Sequence, residues 1–228
     1  EKWGVPHLVG SRVAWIENML GEPWLRIVED RSARLIPPFS RSGWLSLEIC
    51  VENVDTLYSE LKNSPFEIIG KPADLDVSPD IRAMQVLGPA NEVLYLTEVK
   101  ASVPGFDLPF ARCPVDRLFI PVLLTHNRDS ALATYTEFPD TKGVLFETKI
   151  TVLNRTLDLP IDQRHPVATL QLSGKNLIEI DELEGLKAND KTCQTMPSGI
   201  ISISFALRDF DELASGAGSY LIPDGPFS

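Results

Sequence analysis

The apolar positions change period twice between residues 44 and 99. Trp44-Leu45-Ser46-Leu47-Glu48-Ile49-Cys50-Val51 alternates, which predicts a strand over 44–51. In it Ser46 and Glu48 share one face, and Leu45, Leu47 and Ile49 share the other. Asn53 then caps a predicted helix over 54–62, with Val54, Leu57, Tyr58 and Leu61 on one side and Asn63-Ser64-Pro65 as its stop. Strands are predicted over Phe66–Gly70, Arg82–Leu87 and Val93–Val99, the last two joined by the turn Gly88-Pro89-Ala90-Asn91. The segment is one β-α-β-β-β unit.

The order then recurs. Leu118–Thr125 is a predicted strand and 127–138 a helix with Leu132 and Tyr135 on its face. Val144–Leu157 is read as a long strand or bent hairpin, and Val167–Leu172 and Asn176–Asp181 as the closing strands. The letters repeat as well as the period. Gln85-Val86-Leu87-Gly88 matches Gln171-Leu172-Ser173-Gly174, and Val93-Leu94-Tyr95-Leu96 falls over Leu177-Ile178-Glu179-Ile180. Leu45–Ile49 likewise matches Ile201–Phe205. Each end carries a partial copy. Residues 10–30 read as the later strands of a unit (Ser11–Ile16 and Trp24–Val28). Residues 200–228 read as a beginning, with a strand over Ile200–Leu207 and a helix start at Asp209–Leu213. Two partial units and no initiator Met suggest that stretches of the natural protein are absent. The Pro- and Gly-bearing link 101–117 separates two expected halves, 1–105 and 106–228. The first holds a partial unit (1–40) and a full one (41–100); the second holds a full unit (115–185) and a partial one (196–228).

Charge and composition narrow the partners. With 21 Lys and Arg against 32 Asp and Glu, the 228-residue chain carries a net charge of −11, which argues against nucleic acid and anionic membranes. No apolar run is long enough to span a bilayer, and the N-terminus does not read as a signal peptide. Cys50, Cys113 and Cys193 form no CxxC, which fits a reducing, cytoplasmic setting. With only His7, His126 and His165, any metal site must lean on carboxylates. No P-loop, GxGxxG, GxSxG or HExxH is present.

The tandem units resemble the vicinal oxygen chelate superfamily, the glyoxalase, bleomycin-resistance and extradiol-dioxygenase group. The residues that carry the likeness are Leu-Ser-Leu-Glu-Ile-Cys-Val-Glu-Asn-Val-Asp (45–55) and Gly-Pro-Ala-Asn-Glu-Val-Leu-Tyr-Leu-Thr-Glu (88–98). The resemblance implies an α+β fold in which βαβββ modules pair into a cup-shaped mixed sheet. It also implies a divalent metal (Fe, Mn, Ni or Zn), held by a first-strand His, Gln or Glu and a last-strand Glu of each unit. The chemistry implied is lyase, isomerase or dioxygenase work on a small oxygenated molecule through an enolate or activated dioxygen. The first-strand position falls on Ser46, Ile120 and Ser202, and the last-strand position on Tyr95 and Glu179, so only Glu179 keeps the residue type.

Two function classes follow: an enzyme acting on a small oxygenated metabolite, and a metal-free small-molecule binding protein of the same fold. For the enzyme, Glu179 and Glu48 are the candidate metal ligands or bases, and Tyr95 is the polar positioner. Against each stands a plainer alternative: a solvated strand face for Glu179, supported by Asp181-Glu182, an exposed sheet face for Glu48, and a pocket-lining role for Tyr95. Arg82 and Arg26 are candidate clamps for a substrate carboxylate or else surface charges, and Ser46 and Ser202 complete the substrate-binding set. His126 and His165 read as turn residues, and Cys50 as a buried apolar residue. Whether modules pair within one chain or across a homodimer is open.

Overall fold

A computed structural model describes residues 6–136, 142–186 and 198–205. The N-terminal segment forms the antiparallel hairpin β1 (Val13–Glu17) and β2 (Pro23–Val28). The first module comprises β3 (Gly43–Val51), α1 (Val54–Leu61), β4 (Glu67–Leu75), β5 (Ser78–Leu87) and β6 (Val93–Val99). The second comprises β7 (Val115–Thr125), α2 (Arg128–Tyr135), β8 (Lys142–Lys149), α3 (Thr151–Thr156), β9 (Arg164–Leu172) and β10 (Asn176–Glu182).

The modules start the same way for the same local reason. Asn53 Oδ1 accepts from Thr56 N at 2.7 Å, and Asn127 Oδ1 accepts from Ser130 N at 2.7 Å. Each helix also takes a carboxylate at its first N–H from the end of its own module's last strand. Glu98 accepts from Val54 N at 3.1 Å, and Glu182 accepts from Arg128 N at 2.7 Å. The shared device sets Glu98 over Glu182, and hence Tyr95 over Glu179 and Thr97 over Asp181.

The strands form one eight-stranded, curled sheet in the order β4-β5-β6-β3-β7-β10-β9-β8. Within each module the first strand runs parallel to the last, β3 with β6 and β7 with β10, while β3 and β7 join the modules antiparallel. This is the α+β, cup-shaped pairing of βαβββ modules that the resemblance implies. On the outer face α1 covers Met84, Val86 and Leu96, and α2 covers Leu170, Ile178 and Ile180. The inner face is filled from both ends. Phe39 and the α3 segment (Ile150, Val152, Leu153) pack on Val93, Leu124 and Val167. From the other end, Phe106, Leu108 and Ala111 of the link pack around Cys50, Ile120 and Leu177.

Two expectations are corrected. Val144–Leu157 is not a long strand or hairpin: β8 stops at Lys149 and α3 follows, its apolar Val152 and Leu153 buried in the cup. Alternation cannot distinguish that turn of helix from a continuing strand. Residues 200–205 form no strand. The rest of that expected strand and the helix start at 209–213 lie outside the described residues.

Candidate active site on the inner face

Between the two apolar plugs lies a polar stripe. Strand pairing sets it row by row: Gln85, Tyr95, Glu48 and Ile120 stand side by side across β5, β6, β3 and β7, and Val122, Glu179 and Thr169 do so across β7, β10 and β9. Ser46, Thr97 and Asp181 share the face at the neighbouring rows. Ile178 and Ile180 pack against α2, so Glu179 between them points inward. The β3–β7 ladder shifts register at Trp44/Ser46 and at Glu48/Ile49, irregularities that flank the inward residues of β3. At the edge of the row, Gly70 leaves room for the Gln85 side chain; a Cβ there would collide with the Gln85 amide.

Burial dominates the electrostatics. Glu48 is 8% exposed and Asp181 1% exposed, while Glu179 and Tyr95 are half-buried at the cup floor. The Glu48 carboxyl is pushed up to about 8, by desolvation first and the charge of Glu179 second, against a 2.7 Å hydrogen bond donated by Thr97 Oγ1. Glu179 and Asp181 are both raised, chiefly by burial, and lie close enough to share a proton. The Tyr95 phenol is raised well above its usual value by burial and by Asp181, Glu179 and Glu48. No cationic side chain is among the groups that shift these four. Among the described residues, Ser46 Oγ and Asp181 Oδ1 are buried without a hydrogen-bond partner.

The sequence candidates divide accordingly. Glu48, Tyr95, Glu179 and Ser46 come together on the inner face. Arg82 does not: it is on the outer face, bonded to Asp55 at 3.0 Å and Asp74 at 3.1 Å. Arg26 lies on the hairpin, over the Trp15 ring at 5.8 Å, and Ser202 lies in the segment facing it. A carboxylate clamp built from Arg82 and Arg26 therefore has no place in the cup. Asp181 is not part of a solvated acidic run; it is buried inward, and only its neighbour Glu182 turns outward to cap α2. Strand parity with Glu179 could have found Asp181, and parity with Tyr95 could have found Thr97. His165 is no turn residue: it is buried in β9, its Nε2 2.7 Å from Asn154 Oδ1 of α3. Cys50 is fully buried and its thiol is pushed up to about 12, mainly by burial, so it is no nucleophile at neutral pH.

The resemblance implies a divalent metal, and the donor set does not fit one. Among the described residues no group of three or more His, Cys, Asp or Glu side chains is arranged to hold a metal ion. Glu48 and Glu179, the expected ligands, are engaged instead with Thr97 and Asp181. The stripe is suited to proton transfer, with carboxyls raised above their usual range by burial and a phenol beside them.

No family model and no curated protein matches the sequence. Among solved structures, glyoxalase I from Zea mays is similar at 12% identity and a TM-score of 0.46, over 78% of this chain and 61% of that one. Two single-site mutants of the same enzyme match at 14% identity with TM-scores of 0.43 and 0.44, over 64% of this chain and 46 and 47% of theirs. The chain spans about half to three-fifths of the length of these structures. Among the described residues no helix is long and apolar enough to cross a membrane. On its own strand order and register, this chain pairs two βαβββ modules side by side in one curled, mixed sheet, the arrangement that the resemblance implies.

Proposed function

We propose that this chain is an enzyme that moves a proton on a small oxygenated metabolite, through an enolate, at the inner-face carboxylate stripe. The observation that supports this is the set of inward carboxyls that strand register brings onto one face, each raised by burial and by its acidic neighbours, with no cationic side chain among the groups that shift them. A structural carboxylate is normally paired; these are kept poised. Glu48 in its charged form is the base that removes a proton from carbon next to a carbonyl, with Thr97 holding its orientation. Tyr95, beside Glu48 across the β3–β6 ladder, donates its hydroxyl hydrogen bond to the oxygen where the enolate charge develops. Glu179 and Asp181 share a proton that can be returned to the substrate.

The test is exchange of α-protons in D2O, followed by NMR across a panel of α-hydroxy ketones and α-oxo aldehydes. Exchange should be catalysed by the natural chain and fall by about 10²- to 10⁴-fold in Glu48→Gln. Exchange that is equal in chain and variant would remove the proposal. A second reading, a cup that binds a small molecule without turnover, is favoured by the crowding of Phe39, Val152 and Leu153 onto the inner face. It predicts binding of one panel member with no exchange.

A further inference from the structure

The two modules differ on their outer faces. In the second, α2 is supplemented by an aromatic cluster, with Trp44 6.1 Å from Tyr135 and 6.2 Å from Phe205. In the first, α1 leaves part of the sheet facing a cavity of about 720 Å³. Its other walls are the β1–β2 hairpin and the segment 198–204. Both are moored by polar contacts. Arg112 bonds Glu22 at the hairpin turn and the buried Asp116 of β7, which also accepts from Asn18 at 3.0 Å. Ser198 N donates to Arg34 O at 2.9 Å, and Ile36 N donates to Ser198 Oγ at 3.3 Å. These anchors fix the hairpin and the segment at the cavity's rim, where Trp24, Leu25, Ile200 and Ile203 pack against the apolar cluster of the sheet. The facing surfaces are apolar: Leu94 and Leu118 on the sheet, Trp24 and Leu25 on the hairpin, Ile200 and Ile203 on the segment. The charged groups lining it, Arg26, Asp30 and Glu92, are of both signs and select no net charge.

We propose that this cavity is a binding site for a neutral, apolar small molecule, separate from the carboxylate stripe on the other side of the sheet. Its volume is in the range of sites that enclose one such molecule. An apolar space of this size is costly to leave to water, and it persists although Trp24, Leu25, Ile200 and Ile203 already pack against the sheet.

The probe is N-phenyl-1-naphthylamine, titrated by fluorescence into the full chain. One equivalent should bind with enhanced emission, and dodecanol should displace it. Ile203→Trp, in a segment outside any strand, and Leu25→Trp, on the hairpin, should each weaken binding tenfold or more without lowering the thermal midpoint. Glu48→Gln should bind the probe as the natural chain does, which separates this site from the proposed catalytic one. Absence of saturable binding would overturn the proposal. So would unchanged binding in both tryptophan variants.

Discussion

Glu48 stands between apolar neighbours on a strand, and its environment makes stability depend on pH. Its folded value, about 8, lies above that of an unfolded glutamate, so the folded chain keeps a proton that the unfolded chain releases. Stability from this group is therefore full below the unfolded value and is lost as pH rises toward about 8, with a limiting slope of about 1.4 kcal/mol per pH unit. Glu179 and Asp181, raised as well, act in the same direction. The thermal midpoint should be higher at pH 5.5 than at pH 8, and Glu48→Gln should narrow that difference and stabilise the chain at pH 8. A wider difference in the variant would contradict the assignment. His165 opposes this trend. Burial lowers its value, so the unfolded chain takes up a proton more readily and stability falls as pH drops below the ordinary histidine value of about 6.5. Its partner Asn154 is fully buried and also donates to Ile161 O at 3.2 Å and Gln163 O at 2.8 Å. Asn154→Ala strands those acceptors and should cost about 2 to 4 kcal/mol by denaturant titration. A loss under about 0.5 kcal/mol, the range of surface changes, would show that the α3 segment is not pinned there.

The hairpin β1–β2 is the element least supported by its own sheet. A two-stranded ribbon is marginal alone, and every residue of β1 is exposed. Arg112 supplies the tether by bridging Glu22 and Asp116. It is itself half exposed, so solvent screens much of the pair, and Arg112→Ala should lower global stability only modestly. The more specific readout is local: amide exchange in Val13–Val28 should accelerate while β3 and β7 keep their protection. Equal acceleration throughout would mean that Arg112 supports the whole fold. At this scale the sequence was informative about the Asn53 cap, the turn before β6 and the hairpin strands, because each is set by neighbours in the chain. It was wrong on α3, read as part of a long strand or bent hairpin, because that helical turn is selected by burial of Val152 and Leu153 against strands from both modules.

Across the molecule, the sheet passes without interruption from one module to the other through β3 and β7. The two modules should therefore unfold together. Met84→Ala in the first and Leu170→Ala in the second, both fully buried, should each lower one common transition by about 2 to 5 kcal/mol. Separate transitions in either variant would show that the seam does not couple them. The distribution of charge belongs to this scale too. Arg82 is a strand residue by pattern, yet its register with Asp74 and its contact with Asp55 assign it to the outer surface.

What the sequence determined by itself is what lies within one repeat: the β-α-β-β-β order, the caps, and which residues of a strand share a face. Period and capping are local, and a duplicated unit states them twice. The likeness of Leu177–Ile180 to Val93–Leu96 was enough to set Glu179 over Tyr95. Only the tertiary structure decided that Glu48, from β3, meets Glu179 and Asp181, from β10, since those strands are not neighbours and are brought close by the β7 strand between them. It also decided that Asp181 is buried while Glu182 caps a helix, because one residue along a strand reverses the face, and which face is the cup is set by what α1, α2 and α3 cover.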